Sequence, residues 1–161
     1  MQLHPQCEHL GFLLGTWKGQ GNGSYPTIES FAYNEEVTFG HVGKPFLAYS
    51  QRTRHADTGQ PLHAEAGYLR ALEDGSVEFV VVQPSGIVEM HQGTVDGQRI
   101  ELVLISVQTT ASAKDVTDVT RTLWVTNGSG PTMSYDISMA AVGQPLTHHL
   151  HADLSFQPPE G

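Results

Sequence analysis

Residues 15–28 read Gly-Thr-Trp-Lys-Gly-Gln-Gly-Asn-Gly-Ser-Tyr-Pro-Thr-Ile, so Gly19, Gly21 and Gly23 alternate with polar residues. In a β-strand, alternate residues share one face, and these glycines would leave that face without side chains. Such a strand can bend sharply at a barrel corner, with Trp17 in the core, or let a flat ligand approach its backbone. A phosphate-binding loop is a weaker interpretation, because it needs a strand before the glycines and a helix after them.

The rest of the chain is divided by turn-forming residues into segments of strand length. Turns are predicted at residues 56–61, 73–75, 84–86, 96–97, 127–128 and 143–145, which are rich in Gly, Pro, Asp and Asn. Ten segments rich in β-forming residues are predicted as strands, near residues 15–24, 31–39, 45–55, 63–72, 76–83, 86–95, 98–107, 113–125, 132–142 and 147–156. This pattern favours an all-β fold, a closed antiparallel up-and-down barrel with room for a ligand inside.

A short helix is predicted before the first strand. Leu10, Leu13 and Leu14 recur at helical spacing after Pro5, so the helix would run from about Pro5 to Gly15 and plug or cap the sheet. Its apolar run is much shorter than the roughly 18 residues that a membrane-spanning helix needs. No Lys or Arg precedes that run, as a signal peptide would require. A length of 161 residues fits a single domain covering residues 1–161.

The charge balance and the cysteine content narrow the expected partners and compartment. The formal net charge is -9, from 17 acidic and 8 basic residues that do not cluster. Phosphate backbones and anionic lipid surfaces would repel such a protein, so neither nucleic acid nor membrane is expected as a partner. Cys7 is the single cysteine, which excludes an intrachain disulfide and a thiolate zinc site. We expect a cytoplasmic protein.

Three histidines gather near the end of the chain, within Thr-His-His-Leu-His-Ala-Asp-Leu at residues 147–154. On a regular strand His149 and His151 would share one face, and His148 would lie on the other. From spacing alone, they could be solvated, bind a metal adventitiously, or place one imidazole inside the barrel. Glu35 and Glu36 are adjacent on a predicted strand, so they point to opposite faces and are not expected to form an acid/base pair.

Several segments, taken together and in order, resemble the nitrobindin family. The resemblance covers nearly the whole chain, and it rests on the combination of motifs, since no single one is decisive. The segments are Gly15 to Ile28 with its Tyr-Pro-Thr-Ile end, residues 41–47 (His-Val-Gly-Lys-Pro-Phe-Leu), residues 61–70 (Pro-Leu-His-Ala-Glu-Ala-Gly-Tyr-Leu-Arg), and residues 141–146 (Ala-Val-Gly-Gln-Pro-Leu) running into His149-Leu150, Ala152 and Leu154.

This resemblance implies a ten-stranded barrel, similar to fatty-acid-binding proteins, that holds one haem b with ferric iron. Carried over position by position, the axial histidine is His149, a haem-contacting threonine is Thr27, and His63 is a pocket-lining residue across the haem. An open ferric site of this kind would bind nitric oxide or other small ligands. The family resemblance further implies isomerisation of peroxynitrite to nitrate, with the barrel fixing one iron ligand and limiting access.

Other functions remain to be distinguished from this one. A non-catalytic barrel could carry a fatty acid or another apolar ligand; a carboxylated lipid would require a buried arginine pair, which does not stand out in the sequence. A metal-binding module would use His148, His149 and His151, but their imidazoles would have to converge from both faces of a strand. The sequence leaves the oligomeric state open, with a homodimer as one alternative.

Overall fold

The computed structural model describes residues 1–159. Within them, a 3₁₀ helix at Pro5–Leu13 precedes ten strands. The strands are β1 Gly15–Tyr25, β2 Ile28–Gly40, β3 Phe46–His55, β4 Pro61–Ala71, β5 Val77–Gln83, β6 Ile87–Asp96, β7 Arg99–Thr109, β8 Val116–Asn127, β9 Pro131–Ala141 and β10 Thr147–Gln157. Each strand pairs antiparallel with its neighbours in sequence, and β1 also pairs with β10, which closes the sheet into a barrel. The predicted fold class and all ten strands are therefore confirmed.

Turn glycines define where most of the hairpins reverse direction. Gly59, Gly75, Gly86, Gly97 and Gly143 all have positive φ, a region that glycine enters without steric cost. Each belongs to one of the turns predicted from sequence. The hairpin interpretation of the chain was therefore correct at these positions, and the strand boundaries follow from it to within a few residues.

The face of β1 that its glycines leave bare is filled by aromatic rings and by the neighbouring strand. A Cβ at Gly21 would lie 2.3 Å from the ring of Tyr33, and a Cβ at Gly23 would lie 2.3 Å from the ring of Phe31. Both rings belong to residues paired with these glycines across β2. Protein side chains, and not a flat ligand, thus occupy this face. Trp17, farther along β1, is 1% exposed and lies in the core as predicted.

The N-terminal helix closes one end of the barrel, as its predicted capping role requires. It is a 3₁₀ helix that ends at Leu13, two residues before the predicted limit. Leu10 and Leu13 are fully buried, and the indole N–H of Trp17 donates to the carbonyl of Leu13 at 2.8 Å. No helix among residues 1–159 is long and apolar enough to cross a membrane.

The barrel interior has three levels along its axis. At the closed end, an apolar core packs helix residues against the strand ends. At the open end, a smaller apolar cluster surrounds a cavity. Between them lies a set of polar side chains that we call the polar belt: Tyr33, Glu35, Tyr49, Gln51, Glu65, Glu89, His91, Arg121 and Tyr135. The candidate site is thus an open chamber with a polar floor.

Candidate functional site

The cavity at the open end has a volume of about 620 Å³. That volume lies within the range typical of small-molecule sites, which are mostly apolar with a few polar groups. Apolar side chains form much of its wall, among them Tyr25, Phe31, Ile87, Val116, Ile137 and Met139. Thr27, His63 and His149, the three residues singled out from sequence, all line this one cavity.

His149 reaches the cavity because β10 is irregular at its start. The pairing of β10 with β9 shifts register between His148 and Leu150, so His149 is an additional residue in a β-bulge. Its Nδ1 lies 3.0 Å from the carbonyl oxygen of Ser24, to which Nδ1–H donates, and its ring packs edge-on against Tyr25 at a centroid distance of 5.2 Å. Nε2 is therefore the ring nitrogen left available to a ligand.

The electrostatic surroundings of His149 favour the neutral imidazole. Burial lowers its pKa, and the nearby imidazoles of His148 and His63 lower it further, against the opposing effect of the Ser24 carbonyl. A neutral ring that donates through Nδ1 and keeps its other nitrogen free is the form that binds a metal centre.

The prediction that His149 and His151 share a face was wrong, because the bulge changes the alternation. His148 Nε2 and His151 Nδ1 lie 3.2 and 2.8 Å from the same oxygen of Asp136, on the outside of the barrel. His151 Nε2 also lies 3.2 Å from Asp153. Among residues 1–159, no group of three or more His, Cys, Asp or Glu side chains could hold a metal ion. The histidine metal module is therefore not supported.

Thr27 and His63 occupy different parts of the rim. Thr27 lies in the two-residue turn between β1 and β2 and is exposed. His63 is half-buried on β4, with Nε2 3.5 Å from Glu65 Oε1. In the order of the barrel, β4 lies four strands from β10 in one direction and six in the other, so His63 faces His149 across the cavity.

One half of the polar belt is an ion-pair cluster centred on Arg121. Its guanidinium donates twice to Glu65, at 3.0 and 2.9 Å, and once to Glu89 at 2.7 Å. Glu89 is also 3.1 Å from the buried ring of His91. Burial opposes ionisation of Glu65, but Arg121 and His63 outweigh it and hold the pKa of Glu65 well below its ordinary value. Two carboxylates thus already neutralise the buried arginine.

The other half of the belt is a chain of two phenols and a carboxyl group. Tyr33 Oη lies 2.7 Å from Tyr135 Oη, and the Tyr135 hydroxyl donates to Glu35 Oε2 at 2.5 Å. Burial raises the pKa of Glu35 to about 7, against the opposing effect of the Tyr135 hydrogen bond. Glu36 points outward to Lys18, so the expectation that the adjacent glutamates face opposite sides was correct.

The polar belt was missed at the level of sequence, although a signal for it exists. Val119, Arg121, Leu123 and Val125 alternate along β8, and the apolar members point inward. Strand β2 shows the same alternation, with Glu35 at a buried position between the buried Tyr33 and Val37. A charged residue in phase with buried ones is expected to be buried and paired. Its partners, however, lie on other strands and could not be assigned.

Comparisons with known proteins connect this geometry to a family. A family model described as THAP4-like, heme-binding beta-barrel domain matches residues 6–155. Peroxynitrite isomerase 2 of Mycobacterium marinum is 50% identical over 156 residues, which cover 94% of this chain and 95% of that protein. Peroxynitrite isomerase 1 of Mycolicibacterium paratuberculosis is 52% identical over 159 residues, covering 96% and 97%. The crystal structure of Rv2717c from M. tuberculosis has a TM-score of 0.87 and 46% identity, covering 98% of this chain and 100% of that one.

Proposed function

This chain belongs to the THAP4-like heme-binding β-barrel family, as its resemblance to nitrobindins predicted, and from that membership we propose that it is a haem-dependent peroxynitrite isomerase with His149 as the iron ligand. The observation that carries the assignment of His149 is its position in the wall of the 620 Å³ cavity, where Nδ1 donates to the Ser24 carbonyl and Nε2 is left available to a ligand. The relatives in the comparisons supply the reaction.

The residues of the cavity fit a haem. Its aromatic and aliphatic walls suit the faces of a porphyrin, and its open mouth leaves room for polar edge groups in solvent. The Ser24 carbonyl fixes the orientation of the His149 ring, as the outer partners of metal-bound histidines usually do. Thr27 and His63 line the same cavity, and we propose that both contact the group from the rim.

Isomerisation of peroxynitrite to nitrate rearranges the atoms of the anion and consumes neither an electron nor a proton. When bound, haem supplies the iron centre at which that rearrangement occurs. The protein's part is therefore to hold the group by His149, to pack apolar side chains against its faces, and to admit a small anion through the open end. No catalytic acid is needed.

A carrier of a fatty acid is less well supported by the polar belt. In such a carrier, a buried cation would bind the lipid carboxylate. Arg121 already makes three hydrogen bonds to Glu65 and Glu89, so its charge is not free for a ligand. A lipid carboxylate at this position would also be repelled by the two glutamates.

The first test is a titration of the purified protein with ferric haem, followed by absorbance, on the parent and on His149→Ala. We expect a saturable Soret shift that His149→Ala weakens by about 100-fold or more, because losing only an outer-shell partner of a metal ligand costs roughly 10–100-fold. His151→Ala is the matched control, since His151 lies two residues away on the outer face and should bind haem like the parent. Equal haem affinity in His149→Ala and the parent would refute the assigned ligand.

The second test is the reaction itself. The haem-loaded parent should accelerate peroxynitrite decay and raise the yield of nitrate relative to nitrite, and the haem-free protein should not. A parent that binds haem but leaves the decay rate unchanged would contradict isomerase activity. A parent that does not bind haem specifically would point to the lipid-carrier alternative.

Finer properties are also part of the proposal. We propose ferric iron as the resting state and nitric oxide as a further ligand, which absorbance spectra in the presence of nitric oxide would test. We also propose that residues 1–161 act as one domain, which limited proteolysis would test. We further propose a cytoplasmic location, consistent with the lone, buried Cys7, which cell fractionation would test.

We propose a homodimer, supported by exposed apolar side chains on the neighbouring strands β4 to β7: Tyr68, Val82, Met90, Val103 and Ile105. An apolar strip of this kind is typical of a surface that another protein covers. Light scattering should give a dimeric mass for the parent and a monomeric mass for Val103→Lys. A monomeric parent would refute the dimer.

A further inference from the structure

Tyr33, Tyr135 and Glu35 form a hydrogen-bonded chain with a defined direction. Tyr135 donates its hydroxyl hydrogen to Glu35 Oε2 at 2.5 Å, so its oxygen is left to accept from Tyr33 at 2.7 Å. All three side chains are buried, yet Tyr33 lines the cavity at the open end. The chain therefore connects the cavity to a carboxyl group inside the barrel wall.

The carboxyl group at the inner end is a suitable proton acceptor. Glu35 makes no salt bridge with any of residues 1–159, and the hydrogen bonds of Tyr135 and Gln51 and the charge of Arg121 lower its pKa less than burial raises it. Burial raises the pKa of Glu35 to about 7, so the carboxylate is basic near neutral pH. Tyr49 provides an internal contrast, because it also donates to a buried glutamate, Glu65, but Arg121 holds that carboxylate ionised and weakly basic.

A phenol whose hydroxyl is bonded to a base is easier to oxidise, because the proton can leave as the electron does. We propose that Tyr33 and Tyr135 form a redox-active pair that reduces nitrogen dioxide, with Glu35 accepting the phenolic proton. Nitrogen dioxide is a one-electron oxidant released when peroxynitrite decomposes without isomerising. The inference rests on the proposed function for the source of this oxidant, and it adds an activity that isomerisation does not include.

The step balances as follows. Tyr135 loses one electron to nitrogen dioxide, which becomes nitrite, and the phenolic proton moves to the Glu35 carboxylate, leaving a neutral tyrosyl radical. Tyr33 then transfers its hydroxyl hydrogen atom to Tyr135 across the 2.7 Å hydrogen bond, which places the radical at the cavity wall. A second nitrogen dioxide adds to a ring carbon beside the Tyr33 oxygen, and the hydrogen of that carbon moves to the oxygen. The product is 3-nitrotyrosine at position 33.

The experiment generates nitrogen dioxide by pulse radiolysis of aqueous nitrate and detects tyrosyl radical by freeze-quench electron paramagnetic resonance. Haem-free and haem-loaded parent protein should both give the radical, and mass spectrometry should find nitration at Tyr33. Tyr135→Phe should lose the buried radical, because the phenol bonded to Glu35 is gone. Tyr33→Phe should keep a radical on Tyr135 and lose the nitration at position 33. Tyr49→Phe is the matched control, since it also removes a buried hydroxyl from a glutamate and should keep the radical.

The pH profile separates proton acceptance from a merely structural role. With a Glu35 pKa of about 7, its ionised fraction falls from about 91% at pH 8 to about 9% at pH 6, so the radical yield should fall roughly tenfold. Glu35→Gln keeps the shape of the side chain but should abolish this dependence. The groups that act on Glu35 are Tyr135 on β9, Gln51 on β3, Glu65 on β4 and Arg121 on β8.

The inference is overturned if the parent gives no tyrosyl radical, if Tyr135→Phe gives as much as the parent, or if Glu35→Gln retains the pH profile. Circular dichroism of each variant identifies one that has failed to fold, and Glu35→Gln, which is nearly isosteric, then decides. Because the haem-free protein is tested directly, this result is independent of the haem titration. Failure of haem binding would refute the proposed function and leave the radiolysis result standing.

Discussion

Replacing Arg121 with methionine removes the cation that neutralises Glu65 and Glu89 inside the barrel. Arg121 is 8% exposed and makes three hydrogen bonds to these carboxylates. Removing one partner of a buried ion pair usually costs about 3–5 kcal/mol, because the remaining charge has no compensation. For a domain of this size, each kcal/mol corresponds to about 2–4 °C, so we expect the melting temperature to fall by roughly 6–20 °C.

The loss of folding stability in Arg121→Met should depend on pH. In the parent, burial opposes ionisation of Glu65 and Glu89, but Arg121 holds the pKa of each carboxyl group below its ordinary value. The two ionised carboxylates therefore stabilise the folded state at any pH above the ordinary pKa of glutamate, and this stabilisation is lost as the pH falls through the lowered pKa values. In Arg121→Met, burial dominates and raises both pKa values, so the folded state takes up protons more readily than the unfolded chain. The destabilisation should then be largest at pH 8 and smaller at pH 5.

Urea denaturation at pH 8 and pH 5, on the parent and on Arg121→Met, measures this difference. Arg52→Met is the control, because Arg52 pairs with Glu36 on the exposed surface, where an ion pair contributes about 0–1 kcal/mol. Adding Glu65→Gln and Glu89→Gln to Arg121→Met should recover part of the loss. A loss below about 1 kcal/mol at pH 8, or an equal loss at both pH values, would refute this account.

Two further predictions concern the backbone. Gly21→Ala should destabilise the fold by about 1–3 kcal/mol, because its Cβ would overlap the Tyr33 ring. Gly40→Ala is the control and should not destabilise the fold, because no atom lies within 4 Å of the new Cβ. Urea denaturation compares the two variants, and equal stability would contradict the overlap. Val142 is a β-branched residue with a φ of 47°, a region of the backbone that asparagine tolerates better. Val142→Asn should therefore raise the free energy of unfolding by roughly 1 kcal/mol in the same assay. A loss of stability would show that the contacts of the valine side chain matter more than its backbone strain.

Much of the fold was predictable because it depends on local features. Gly59, Gly75, Gly86 and Gly97 fall in turns that their neighbours also favour, and the segments between them have the composition of strands. The helix differed in type and length, since residues 5–13 form a 3₁₀ helix in which leucine spacing alone does not distinguish i+3 from i+4 hydrogen bonding.

The site was predictable only in part. A resemblance pointed to His149, Thr27 and His63, and the fold brings all three to one cavity. The bulge at His149 could not be predicted, because it depends on how β10 aligns with β9 and not on β10 alone. The pairing of Arg121 with Glu65 is likewise non-local, since 56 residues separate them in sequence and only closure of the barrel brings them together.

The separation of the barrel into levels has a consequence for how its binding specificity can be changed. The larger packed core lies at the closed end, around Leu10, Leu13 and Trp17, whereas the apolar residues at the open end form a separate, smaller cluster around the cavity. Substitutions at Ile87 or Met139 would therefore reshape the chamber while leaving most of the packing that stabilises the fold unchanged. Such an arrangement makes the barrel an evolvable scaffold, in which new ligands can be accommodated with little penalty in foldability.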